Sequence, residues 1–573
     1  KLTSNLLYCI MRLSILNEDS SSLLEIYRTA AIGHPSELSK DLWGEIPTSF
    51  RTLRKITKHQ TETLDFTEFS ENIEVLRHLV TERHRKMGTL TEQVRDALNH
   101  LDQGFLDVGH QPLLFGGPLF LINKISLAEW VGNLLNVGAF FFIGDHDSIQ
   151  NELTIARFPQ ANSQTGLVIT PSSWGVPEGT PMHKVPVPKA AWFQEIKPKI
   201  QDNLRSLMKS AKIRLEYRQL LLERFYSWFD LIYDQATTVE DFSTWTQKIW
   251  SQLFNIRNNL GIFLGPTSEK RYRQLILPAF EFLLTENNRY RYVEALNSVY
   301  DILVSKNIQP GLPHREEDYV PFFLECLTCK TKTRVELKVE TPGTIKGKCP
   351  ICTEEFSFSY DTNHPDLSEI GDDITPRSDT RAVVNNITFP LLVHIGGAGE
   401  TQYYSTVIPA MKRLKVSPPV LIRSNRIYYN TPWAEKSARD NDNPMLTNEV
   451  YSIFNEFNTG IETESVRAAL EKMRNLIQSK YEKEITQLNK QQAELITQPQ
   501  NHNLRKQIKR TEIMLSHNFG RYVSGKDAQE VTWNWLDLAV LTGIHSICDT
   551  FRRQLKEEAF PGYTWYITAG KFS

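Results

Sequence analysis

A chain of 573 residues, 40% hydrophobic and 10% aromatic, can fill a substantial core spread over about two to four domains. Its 65 lysines and arginines nearly balance 67 aspartates and glutamates, and the net charge of -2 gives no global field aimed at nucleic acid or an anionic membrane. No apolar run approaches the ~20 residues that span a bilayer, and the mildly apolar start, Lys1 to Ile10, lacks a small-residue cleavage site, so neither a membrane span nor a secretory signal is expected.

Residues 1–100 read as an N-terminal helical region. Ile73, Leu76 and Val80, then Leu90, Val94, Leu98 and Leu101, recur at amphipathic spacing, and Gly33-His34-Pro35 breaks an earlier helix. Residues 101–192 read as the first part of a Rossmann-like parallel-sheet core. Phe105, Leu106 and Val108 lead into Gly109-His110-Gln111-Pro112 and then Gly116-Gly117-Pro118, from which a helix departs carrying Leu119, Ile122, Ile125 and Leu127. Gly116 and Gly117 would let backbone amides meet an anion at that helix start, with His110 alongside and Lys124 within reach of phosphate. The stretch matches neither the dinucleotide fingerprint nor the P-loop spacing, so a plain Gly-Pro turn with a structural histidine competes with this reading. The run Ala139 to Ile143, wholly apolar, predicts a buried parallel strand that ends in Gly144-Asp145-His146-Asp147, two carboxylates flanking an imidazole. Two short strand-like runs follow, around residues 153–158 and 165–169, and then a Pro/Gly-rich loop to Pro188.

Residues 193–315 read as a helical region of the core, with aromatic residues such as Trp228, Trp245 and Trp250 at helical spacing. Within 316–362, Cys326-Leu327-Thr328-Cys329 and Cys349-Pro350-Ile351-Cys352 are two CxxC knuckles nineteen residues apart. Four thiolates so paired close a tetrahedral zinc site without an open position, which predicts a zinc-ribbon insert whose Zn2+ is structural. Four of the six cysteines sitting in one cluster also argues for a reducing, cytoplasmic compartment.

Residues 363–440 return to the core. Leu391 to Ile395 predicts a strand, Gly396-Gly397-Ala398-Gly399-Glu400 a turn able to seat phosphate or carboxylate, and Tyr403, Tyr404, Val407 and Met411 a helix. Glu400 sits where the helix dipole favours a carboxylate, or where an amine could pair with it. Residues 441–573 read as a helical hairpin and C-terminal helices. Leu470, Met473, Ile477, Tyr481, Ile485, Leu488 and Leu495 form one seam, the turn spans residues 497–503, and Leu504, Ile508 and Leu515 return, as in an antiparallel coiled coil.

The ordered motifs GHQPLLFGGPLF, FFFIGDHD and VHIGGAGETQYYSTVIPAMKRL resemble those of the cysteine-adding family of bacillithiol biosynthesis, BshC, which typically reads GQQPGLFTGPLY, then a strand ending GEDHD, then GGPGE before a tyrosine-bearing helix. Weaker similarity at Asn259 to Gly265, Thr375 to Arg381 and Pro419 to Arg423 extends the resemblance over roughly residues 60 to 430. His110 stands where the family has glutamine, Gly144 where it has glutamate, and the cysteine-rich insert interrupts the middle.

The resemblance implies an α/β enzyme with a Rossmann-like, HUP-type core that joins the carboxylate of cysteine to the amine of glucosaminyl-malate. It also implies a coiled-coil arm joining two protomers, hence a homodimer. Joining a carboxylate to an amine needs activation, for which a nucleotide, ATP or ADP, is chemically suited. On that reading Asp145, His146, Asp147 and His110 are the catalytic candidates: a carboxylate takes the proton of the attacking amine, His146 orients or relays, and His110 holds developing phosphate charge. Gly109, Gln111, Gly116, Gly117, Lys124, Arg381, Gly396, Gly397, Gly399, Glu400 and Tyr404 are the nucleotide- and substrate-binding candidates, with Arg377 and Arg423 as further carboxylate clamps. Two other classes stay open: a HUP-type enzyme acting on RNA or a small amine, favoured by the ribbon but not by the neutral charge, and a non-catalytic dimeric scaffold.

Overall fold

A computed structural model describes residues 23–440 except 162, 164–165 and 172–174, and then 447–448, 483, 486–515 and 529–568. At its centre lie five parallel strands: β1 (Phe105–His110), β2 (Gly138–Ile143), β5 (Phe263–Pro266), β11 (Leu391–Gly396) and β12 (Val420–Arg423), with β3 and β4 (Ala156–Phe158 and Leu167–Ile169) paired antiparallel outside the sheet. The order β12-β11-β1-β2-β5 is the Rossmann order, with β1 in the middle and the direction of winding reversing between β1 and β11.

The strands are mostly apolar because both faces are covered, with Asp107 in β1 and His394 in β11 as buried polar exceptions. Side chains alternate between those faces. Phe141 and Ile143 join Leu106, Val108 and Leu264 in a core built with helix Leu119–Leu135, the middle helices and the C-terminal segment. Phe140 and Phe142 join Phe105 and Phe263 in a second core with helices Ser70–Met87, Lys270–Leu284 and Ala398–Arg413.

The expected parallel α/β core is present, with two differences from the sequence reading. Residues 193–315 are not wholly helical, because β5, at the end of the Asn259 to Gly265 run that resembles the family's strand before its mid-chain helices, supplies an edge strand of the sheet from within them. Four buried residues of a parallel strand have no alternation, so periodicity could not separate them from helix. Nor does the cysteine-bearing sheet stand apart. Its strands β6 (Tyr319–Glu325), β7 (Arg334–Thr341), β8 (Thr344–Lys348) and β9 (Glu355–Ser359) are joined at β6 by β10 (Ile374–Pro376), beyond residue 362, in the antiparallel order β10-β6-β7-β8-β9. Its buried Leu324, Val335, Leu337 and Ile345 belong to the same core as Phe140 and Phe142.

Much of the predicted coiled coil, including Leu470, Met473, Ile477, Tyr481 and Ile485 of its first seam, lies outside the described residues. The described tip is a helical hairpin in which Leu488 and Leu495 meet Leu504 and Ile508 of helix His502–Leu515, with Asn501 capping that helix. Beyond it, helices Leu536–Thr542 and Ile547–Arg552 pack back onto the core, and β14 (Thr564–Thr568) pairs in parallel with β13 (Arg426–Asn430). No helix among the described residues is long and apolar enough to cross a membrane.

Candidate active site at the sheet switch point

In an open parallel sheet the carboxyl ends of the strands at the reversal form a crevice. Here the loops after β1, β2 and β11 meet there.

The loop after β1 folds tightly. Phe115, Gly116 and Gly117 have φ of 56°, 76° and 87°, and a Cβ on Gly117 would sit 2.5 Å from Leu113 Cδ1. This corrects the expected anion cradle. The amides of Gly116 and Gly117 donate to the carbonyls of Leu113 and Leu114, both at 3.0 Å, and so are spent within the turn. The carbonyls of Phe115, Gly116 and Gly117 accept from Trp535 Nε1 (2.8 Å), Trp250 Nε1 (2.9 Å) and Asn534 Nδ2 (2.9 Å). Leu119, first in the helix, donates to the Trp533 carbonyl at 3.1 Å. The glycines serve a consecutive left-handed backbone sealed by two indoles.

His110 and Gln111, at the mouth of that loop, are partly exposed. His110 Nδ1 lies 2.9 Å from the Gln111 carbonyl, which can only accept, so Nδ1 carries the proton and Nε2 keeps its lone pair. Burial pushes this imidazole down to about 4, so it is neutral at pH 7. Lys124 is no surface lysine: its Nζ is 2.6 Å from Glu400 Oε2 and 3.2 Å from the Gly109 carbonyl, tying the β1 loop to the β11 loop.

Glu400 is the hub of the β11 side. Oε2 also accepts from the Gly397 amide at 2.7 Å, the reciprocal half of a capping box. Arg381, from helix Ser378–Thr388, lies 3.4 Å from Oε1, donates to the Tyr403 hydroxyl at 2.7 Å, and covers the Phe142 ring at 5.2 Å. Burial alone would raise Glu400, but Lys124, His394 and Arg381 outweigh it and hold the carboxyl well below the usual range. Gly396 is closely packed, with a Cβ there 3.1 Å from Glu400 Cβ, whereas a Cβ at Gly399 would meet open space at the helix start. Tyr404, expected to touch substrate, is buried and stacked on His394 (4.4 Å, 13°). Tyr403 is the partly exposed tyrosine beside Arg381.

The Asp-His-Asp run divides into separate tasks. Asp145 is 1% exposed. Its oxygens accept from Thr267 Oγ1 (3.0 Å), the Ser268 amide (2.9 Å), Ser268 Oγ (2.6 Å) and Ser243 Oγ (2.8 Å). That corrects its expected role as a base: it braces the β2 loop against the segment after β5. The Thr267 proton goes to Asp145 or the Ile143 carbonyl, so His146 Nδ1 donates to Thr267 Oγ1. This leaves His146 Nε2 bare, 3.6 Å from Asp147 Oδ1. Burial holds His146 down to about 4. Asp147 alone of the three reaches toward the crevice, accepting from Gln111 Nε2 and Arg334 NH1, both at 2.9 Å. Burial would raise it, yet His146 and Arg334 draw it below the usual carboxylate range.

Sequence reasoning missed several participants. Asp107 and His394 are cross-strand partners in the β1–β11 ladder, with Asp107 Oδ1 2.6 Å from His394 Nδ1. Despite burial, Asp107 and Glu400 raise this imidazole above its ordinary value. A charged residue inside each of two apolar strands was the signal available in the sequence. Arg334 carried no signal at all, because β7 lies far along the chain. Arg377 is clamped by Glu336 through two 3.0 Å contacts rather than facing the crevice, and Arg423 ends β12 as a buried residue.

Away from the crevice, the sulfur atoms of Cys326, Cys329, Cys349 and Cys352 lie within 4.8 Å of one another. Thr331 Oγ1 donates to Cys329 Sγ (3.2 Å), and the Cys329 amide donates to Cys326 Sγ (3.4 Å). Converging sulfurs with their own donors are a donor set and size compatible with a tetrahedral metal ion such as zinc.

A parallel sheet in Rossmann order, with acidic, basic and imidazole groups gathered at its switch point, is the frame of small-molecule-handling α/β proteins. No family model matches the chain. It is similar to the protein named "Putative cysteine ligase BshC" of Carboxydothermus hydrogenoformans, 22% identical over 407 residues that cover 69% of this chain and 68% of that one.

Proposed function

We propose that the chain is a ligase-like enzyme that adds cysteine, through its carboxylate, to the amine of an amino sugar such as glucosaminyl-malate. What supports this is convergence: the three loops that resemble the cysteine-adding family come together at one crevice, tied by Lys124–Glu400 at 2.6 Å and Gln111–Asp147 at 2.9 Å. A bound nucleotide would supply activation of the carboxylate. Lys124, Arg381 and the open helix start at Gly399 are the groups of this crevice suited to phosphate charge. Amide formation would join the amine nitrogen to the carboxyl carbon as the bond from that carbon to its activated oxygen breaks and that oxygen leaves, and His110 Nε2, fixed as an acceptor by the Nδ1 bond to the Gln111 carbonyl, would take the proton shed by nitrogen. Asp147 receives the positive charge of the amine as it docks. In this reading the ribbon cysteines hold a structural Zn2+, and two protomers join through the hairpin.

The test is incubation of zinc-loaded protein with cysteine, glucosaminyl-malate and ATP, with the amide product followed by mass spectrometry. Product formation that drops at least about 100-fold in His110→Ala and Asp147→Ala supports the assignment. No product, and no rise in melting temperature with either substrate, sinks it.

A further inference from the structure

The cysteine cluster and the crevice are joined by one β-hairpin. β6 ends at Glu325 and is followed at once by Cys326. β7 begins at Arg334, five residues after Cys329. Glu325 and Arg334 are cross-strand partners, and the Cys326 amide donates to the Thr333 carbonyl at 2.9 Å, so the first knuckle is the loop of this hairpin. The second knuckle, Cys349 and Cys352, lies in the turn between β8 and β9. A metal held by all four sulfurs therefore clamps one turn to the other.

The two residues at the hairpin's base point the opposite way, into the loops that carry the Asp-His-Asp run. Arg334 stacks on Phe323 (4.1 Å to the ring centre) and donates to Asp147 at 2.9 Å. Glu325, 3% exposed at its side chain, contacts Arg273 at 2.5 Å and His183 Nε2 at 3.5 Å. Arg273 in turn donates to the Thr267 carbonyl (3.0 Å), and His183 donates through its amide to the Asp145 carbonyl (3.0 Å). Met182 does the same to the Asp147 carbonyl (2.9 Å).

We infer that metal occupancy of the four-cysteine knuckle sets the position of Asp147 in the crevice, with Arg334 and Glu325 as the positioning residues that transmit it. The ribbon is then a wall of the site whose register the metal fixes, rather than a separate staple. This rests on the cysteines holding zinc as proposed above, but not on the cysteine-adding reaction.

Hydrogen–deuterium exchange of the full chain, without any substrate, tests it. Stripping zinc with a chelator is expected to speed exchange of the Met182 and His183 amides by about tenfold or more, leaving helices Leu536–Thr542 and Ile547–Arg552 unchanged. Arg334→Gln, with zinc still measured at one per chain, is expected to reproduce that local gain. Arg334→Lys keeps a cation for Asp147 and is expected to restore most of the protection. Exchange that rises in residues 326–353 but not at Met182 and His183 overturns the inference. So does an Arg334→Gln protein as protected as the parent, and that variant decides the matter if stripping the metal unfolds the whole chain. Protein that neither contains nor takes up zinc overturns the metal half. Loss of cysteine addition with intact metal-linked protection would count against the proposed reaction alone.

Discussion

Replacing Asp145 by alanine separates a brace from a base. The carboxylate is buried, and alanine would remove the acceptor of four hydrogen bonds, two from Ser268 and one each from Ser243 and Thr267, of which the Thr267 hydroxyl has a second acceptor in the Ile143 carbonyl. Hydrogen bonds to a charged acceptor contribute about 1.5–3 kcal/mol each. Their sum is an overestimate, because burying the charge is itself unfavourable, and leaving two or three buried neutral donors unsatisfied, at about 1–3 kcal/mol each, puts the cost at about 3–5 kcal/mol. For a cooperative unit of 150–250 residues, 1 kcal/mol corresponds to about 2–4 °C, so the melting temperature is expected to fall by about 6–20 °C. Asp147→Asn is the internal comparison. Its side chain is 22% exposed and keeps an oxygen for Arg334, so the expected loss is about 1 kcal/mol. Scanning calorimetry of the zinc-loaded parent and both variants makes the measurement. An Asp145→Ala protein melting within about 2 °C of the parent would refute the brace and return Asp145 to the list of candidate bases.

Acid should destabilise the fold before its carboxylates titrate. Burial holds His84 and His146 down to about 3 and about 4, below the unfolded value near 6.5. Their contribution is therefore complete above pH 6.5 and lost as pH falls toward 4, about 2 kcal/mol for each at pH 5. A urea midpoint that stays flat from pH 6.5 to 5 would contradict this. Gly117→Ala introduces a Cβ 2.5 Å from Leu113 at a φ of 87°, and about 1–3 kcal/mol of strain should lower the melting temperature without altering metal content. Lys124→Met leaves Glu400 with a buried charge short of a partner and should cost about 3–5 kcal/mol, whereas adding Glu400→Gln should recover part of that loss. Purely additive effects in that double-mutant cycle would show that the pair is not coupled.

Much of the frame could be read from the chain, because a strand with both faces covered is written in apolar residues whatever its neighbours. Phe140 to Ile143 and Leu391 to Ile395 show this, and the loops that end them could be placed at once. Strand order could not be read, since it depends on crossovers of more than a hundred residues that bring β5 and β11 to opposite sides of β1. The glycine signal at Gly116 and Gly117 was ambiguous in kind: the same residue serves a ligand approach and a left-handed turn, and only the indoles of Trp250 and Trp535 reveal which. The acidic run was visible, but the division of labour inside it was not. Asp145 is withdrawn by partners at 243, 267 and 268, and Asp147 is aimed by an arginine at 334, none of which local spacing can announce.

The turn after β1 is closed by residues made long after it. Trp535 donates to the Phe115 carbonyl across 420 positions of sequence, and Trp533 and Asn534 cover the same turn. At about 5–20 residues added per second, a ribosome extends the chain for roughly 20–80 s before those indoles exist. During synthesis the left-handed turn must wait with only Trp250 of its two indoles in place, and the aromatic surface around Phe115 and Trp228 waits with it. A nascent chain stalled near residue 500 should therefore bind hydrophobic-surface chaperones that the finished protein ignores.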